Sequence, residues 1–237
     1  QANLLIDGRW RHCWSRIDDD GQGTASQPAV LDDIAHLGRA ALALHCATGE
    51  SRWLDLALDC LDQADSHYRD RDGGGYFVSA DDTADIIHRP KSALDNAVPS
   101  GNGVMADLIA RTLLVTGDDS IRPRIDSLMT AFAGAPAGQH PHLTLLLMAQ
   151  ETNLNAETLV VVGATDPDHP LVRAAIDSAP ERSVIQLAPA PETLPAGHPA
   201  QGKGLVAGKP TAYLCRQGTC SLPFTAPEAL SETLLVL

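Results

Sequence analysis

Apolar and small residues at Leu31, Ile34, Gly38, Ala41 or Leu42, and His45 recur every three or four positions, which puts them on one helix face. Ser26 and Pro28 precede the run as cap residue and first-turn proline, and Thr48-Gly49 closes it. A second helix carries Trp53 or Leu54, Ala57, Leu58, Leu61, Ala64 and Tyr68 and stops before glycines 73–75. Residues 75–90 read as a β-hairpin, with Tyr76-Phe77-Val78 and Ile86-Ile87-His88 about a turn at Asp81-Asp82. Further helices are expected from Pro99-Ser100-Gly101-Asn102 to Thr116-Gly117, over about 121–133 and over about 139–151. Residues 1–25 read as two short strands or an irregular lead-in, with a turn-rich break at 18–23.

The pattern changes after residue 156. The β-branched run 158–163 reads as a buried strand, 169–178 as a short helix and 183–187 as a second strand, a βαβ unit with a parallel pair. A Pro/Gly/Ala-rich loop over 188–210 leads to a hairpin, 211–215 with 219–224, and to a final helix opened by Pro227. The corner Ala47-Thr48-Gly49-Glu50 returns as Val115-Thr116-Gly117-Asp118, each between two helices, as in stacked helical hairpins. The expected organisation is a helical-hairpin region over 1–152 and a small α/β module over 153–237. The fold class is mainly α with a short mixed sheet at the end.

Charge narrows the partners. A net charge of −13, spread along the 237 residues, repels phosphate backbones and excludes nucleic acid. No apolar run reaches the length of a membrane span. The start lacks the basic and apolar blocks of a signal peptide. Opening on Gln1 rather than Met, the chain is expected to be a fragment, a processed product or a sequence whose start is missing. The 5 cysteines form no disulfide framework and point to a reducing, cytoplasmic setting.

Several motifs, taken in order, carry a resemblance. They are Asp7-Gly8-Arg9, Leu31-Asp32-Asp33, Ala47-Thr48-Gly49-Glu50, Trp53-Leu54, Gly73-Gly74-Gly75-Tyr76-Phe77, Arg89-Pro90-Lys91, Asp95, Pro99-Ser100-Gly101-Asn102, Val160-Val161-Val162-Gly163, Lys209-Pro210-Thr211-Ala212-Tyr213-Leu214-Cys215 and Thr219-Cys220. Together they resemble the C-terminal part of the spermatogenesis-associated, thioredoxin-domain-containing proteins. Ile34 and His36 depart from the tyrosine and aromatic residue usual at those places. The resemblance implies a thioredoxin-like domain, which this chain lacks. It then implies a six-hairpin α/α toroid similar to glycosidases and N-acylglucosamine 2-epimerases, here only partial, and an α/β tail. It therefore implies a sugar-like ligand and, for an open half-ring, self-association or packing against the missing remainder.

In such a ring the early turns of the inner helices converge on one mouth. Asp33 and Asp95 would then act as an acid–base pair, with His36 as proton carrier on the Asp33 face. Asp32, Arg89, Lys91, Ser100 and Asn102 would hold the ligand. The alternative is structural: Asp32 and Asp33 favour a helix start, Ser100 or Asn102 caps one, and Arg89 pairs with Asp95 across the loop. Cys215 and Cys220 stand opposite each other if their hairpin forms, either as a disulfide or as packed thiols. A redox role would suit the implied thioredoxin domain. His140-Pro141-His142 lacks helical metal-ligand spacing, so no metal is expected. The turn after Gly163 lacks a glycine-rich phosphate loop, so no cofactor is expected.

Overall fold

The structure is a computed structural model that describes residues 3–17, 22–216 and 218–235. Most of the expected break at 18–23 (residues 18–21) and Gln217 of the late turn lie outside the described residues. The chain opens with an antiparallel meander of β1 (Leu5–Ile6), β2 (Arg9–Arg16) and β3 (Gly23–Pro28). Ser26 and Pro28 therefore belong to a strand, opposite Cys13 and Arg11, and do not cap a helix.

Helix α1 (Leu31–Thr48) instead starts through Asp33, whose carboxylate accepts the Val30 N–H at 2.8 Å while the Asp33 N–H returns to the Val30 carbonyl at 3.1 Å. Next come α2 (Ser51–His67), α3 (Gly101–Thr116), α4 (Arg122–Phe132) and α5 (Thr144–Asn155). Helix α3 is buried almost all round and packs against α1, α4 and α5, as its nearly unbroken apolar run requires. Helix α5 begins later than expected. Pro141 lacks an N–H and disfavours helix at His140, so 137–142 makes only a 3₁₀ turn.

The expected hairpin over 75–90 does not form. Phe77 N–H bonds the Tyr68 carbonyl and Val78 N–H bonds Pro90, while Leu31 N–H takes the Val78 carbonyl. The segment is thus pinned to three neighbours, and Ile87 stands fully exposed.

A second sheet has the order β5-β4-β6-β7. It is built from β4 (Thr158–Val162), β5 (Val184–Ala188), β6 (Thr211–Arg216) and β7 (Thr219–Cys220), with α6 (Pro170–Ser178) crossing between β4 and β5 and α7 (Pro227–Leu234) closing the chain. Strand β4 pairs parallel with β5 and antiparallel with β6. Its alternate side chains feed two apolar cores, Leu159 and Val161 toward α6 and α7, Val160 and Val162 toward Leu194, Ala200 and Tyr213.

The fold class therefore departs from a mainly α, partial-toroid chain. Two sheets, one opening the chain and one near its end, make it an α/β mix. The difference arises because Leu5–Ile6, Arg9–Arg16 and Gly23–Pro28 pair with one another as strands before the first helix begins.

Both Thr-Gly corners end their helices on a left-handed glycine, Gly49 at φ 71° and Gly117 at φ 66°. Both also press on the later sheet region. A Cβ on Gly49 would lie 2.2 Å from Pro189 Cδ, and one on Gly117 would lie 2.0 Å from the Gly197 carbonyl oxygen. Only glycine allows that approach.

Candidate functional site

Residues 69–100 form a long strap between α2 and α3, and most of the candidate polar side chains hold it in place. Asp70 starts the turn by accepting Asp72 N–H at 3.1 Å and Gly73 N–H at 2.9 Å. Lys91 reaches back to the same carboxylate at 2.6 Å and to the Gly74 carbonyl at 2.8 Å. The Lys91 hydrogen bond, with that of Gly73 N–H, holds the Asp70 carboxyl down to about 2. Arg89 donates to the Ser79 carbonyl at 2.9 Å and the His67 carbonyl at 2.7 Å, and its guanidinium lies 4.4 Å from the centre of the Phe77 ring.

Asn102 is fully buried on the first turn of α3. It accepts Tyr76 N–H at 2.9 Å and donates to the Tyr76 carbonyl at 2.8 Å and the Ser92 carbonyl at 2.9 Å. Its amide thus serves Tyr76 as a neighbouring strand would, one physical reason the hairpin is absent. Ser100 caps α3, accepting Gly103 N–H at 3.2 Å and donating to the Ala93 carbonyl at 2.9 Å. Asp95 joins two helix starts. One oxygen accepts Ser100 N–H and the other Leu145 N–H, both at 2.9 Å. Arg89 and Asp95 are not each other's partners.

Asp33 lies with a different set of groups. Its carboxylate meets the His12 ring at 2.7 Å and the Val30 N–H, and none of the other candidates. Asp32 is half-buried beside Gly101, where a Cβ would come 3.1 Å from its carboxylate oxygen. Lys91, Ser92, Asp95, Ser100 and Asn102 therefore share one braced loop cluster. Asp33 has no bond to that cluster, and His36 lies on an outer, exposed face of α1.

His36 lines a cavity of about 760 Å³ between α1, β5 and α6. Leu42, Ala43, Val172, Ile176, Ile185 and Leu187 give it apolar walls. Arg39 and Arg111 stand on it too, and both bind Asp107, which is 2% exposed. Arg39 Nε donates at 2.6 Å, and Arg111 Nε at 2.9 and 3.1 Å. Cys46 shares the wall, and burial pushes its thiol up to about 12, so it stays protonated at neutral pH. The sequence reading overlooked this cluster. A lone acid in the apolar run 104–115, with an arginine four residues on, was the available signal.

Cys215 and Cys220 face each other across β6 and β7 and are joined by a disulfide, with Cα atoms 3.9 Å apart. Among the described residues, His67, Asp81 and Asp82 bring ligand-type atoms within 4.8 Å of one another. The Arg9 guanidinium already bridges Asp82 and the His67 ring, a cation where a metal would sit. Among the described residues, no helix is long and apolar enough to cross a membrane.

No family model matches the chain. It is 31% identical over 225 residues to spermatogenesis-associated protein 20 of Homo sapiens, covering 86% of this chain. The protein of that name from Mus musculus is 31% identical over 216 residues, and that from Rattus norvegicus 30%. Over most of its length the chain is a homologue of spermatogenesis-associated protein 20. It spans about 27% of the length of these curated relatives. The match covers most of a chain whose strap is fixed by Arg89, Lys91, Asp95, Ser100 and Asn102, which are among the residues that carried the family resemblance.

Proposed function

We propose that this chain serves as a non-catalytic scaffold in a longer protein of the spermatogenesis-associated protein 20 family. In this reading a braced helix array presents apolar surface to a partner, with the thioredoxin-like domain implied by the resemblance as the partner served. The observation that supports it is the use made of the polar set. Asp33, Arg89, Lys91, Asp95, Ser100 and Asn102 each hold a backbone group, and Lys91 an ion pair besides. A sugar-cleaving site asks for two carboxyl groups aimed at one bond. Asp33 and Asp95 are engaged separately, at different helix starts. Exposed apolar residues on α5, Leu147, Met148 and Leu154, supply surface for docking.

A titration with mono- and disaccharides, followed by amide NMR, tests the reading. The amides of Tyr76, Ser92 and Ser100 are expected to stay unmoved at millimolar sugar. Saturable shifts centred on those amides would replace the scaffold with a sugar site.

A further inference from the structure

The cavity between α1, β5 and α6 carries an inference of its own, separate from the strap and independent of its role. We infer that it binds a small amphipathic anion, an apolar body ending in a single carboxylate.

The charge at the mouth argues for the anion. Two guanidinium groups share one buried carboxylate, so Arg39, Arg111 and Asp107 together leave one positive charge uncompensated. Both arginines reach Asp107 through Nε. Their terminal η nitrogens have no hydrogen-bond partner among the described residues. The Arg39 side chain is 45% exposed and that of Arg111 24%, and both residues line the cavity. A planar fork of free N–H groups matches a carboxylate. In a chain of net charge −13, this local positive centre stands out.

The walls argue for the body. Leu42, Val172, Ile176, Ile185 and Leu187 surround about 760 Å³, a size that holds a drug-sized ligand. Thr165 and Pro167 close one side from the loop after the carboxyl end of β4. A protonated Cys46 leaves the wall chemically inert toward such a ligand.

Calorimetric titration of the chain with octanoate and decanoate, kept below micelle formation, tests the inference. Decanol and decyltrimethylammonium serve as head-group controls. Decanoate is expected to bind one to one, about fourfold more tightly per added methylene, and the cation not at all. Arg39→Gln is expected to weaken decanoate at least about tenfold while leaving any decanol binding unchanged. Ala43→Trp, on an exposed wall position where the fold tolerates bulk, is expected to abolish both. Absence of saturable decanoate binding, equal binding of the cationic analogue, or indifference to Ala43→Trp would each overturn the inference.

Discussion

Asp95→Ala removes a side chain that holds the starts of two helices. In the parent, one carboxylate oxygen accepts Ser100 N–H ahead of α3 and the other accepts Leu145 N–H in the first turn of α5, each at 2.9 Å. Alanine leaves both donors without a partner, at half-buried Ser100 and at buried Leu145. Losing a helix-start acceptor costs about 1–2 kcal/mol, and a charged acceptor lies toward the top of that range. The sum is about 2–4 kcal/mol. For a chain of this size each kcal/mol lowers the melting temperature by about 2–4 °C, so a fall of about 5–15 °C is expected. Asp95→Asn keeps one acceptor and should lose about half as much. Thermal unfolding followed by circular dichroism at pH 7 reads both. If Asp95→Ala melts within about 1 °C of the parent, the bracing role assigned to this carboxylate is wrong.

Other positions give equally direct outcomes. Burial, with His45 nearby, pushes the His198 imidazole down to about 4, below its free value of about 6.5. The unfolded chain then binds the extra proton first as pH falls. The stability from neutral His198 is therefore complete above about 6.5 and lost toward about 4, up to about 3 kcal/mol. Urea midpoints across that window should show the loss, and His198→Asn, which can still accept Ala200 N–H, should flatten it. Gly117→Ala must hold a left-handed φ of 66° with its Cβ 2.0 Å from the Gly197 carbonyl oxygen. A loss of about 3 kcal/mol is expected in urea, and a neutral result would mean that the corner does not seat on that loop. The disulfide closes a loop of sequence separation 5, so Cys220→Ser should cost about 2 kcal/mol, read as a lower urea midpoint in the absence of reductant.

The helices were legible because their apolar spacing is regular and their ends are marked by glycine. Gly49 and Gly117 terminate α1 and α3 where the Thr-Gly corners indicated. Strand β4 was legible from its unbroken β-branched run, and the parallel pairing followed from the helix between β4 and β5. The opening meander was harder to read. In β2, Trp10 and Trp14 share one face with His12 between them, a mixed pattern that local rules do not resolve. The strap left two readings open for a chemical reason. Arg89, Lys91, Asp95 and Asn102 carry groups that suit a ligand or a backbone amide equally well. Which they meet depends on how the segment 69–100 folds back, and spacing along the chain does not encode that. Asp107 was the readable signal left unused, since an acid inside an apolar helix needs a partner once buried.

Amide hydrogen exchange at Tyr76, Ser100 and Leu145, resolved by NMR, tests most directly the claim that these polar side chains hold the backbone together. Each of these N–H groups donates to an Asn102 or Asp95 side chain. Protection comparable to the interior of α3 is expected, and it should collapse at Ser100 and Leu145 in Asp95→Ala and at Tyr76 in Asn102→Ala. Exchange as fast as in the exposed stretch around Ile87, already in the unaltered chain, would contradict the account.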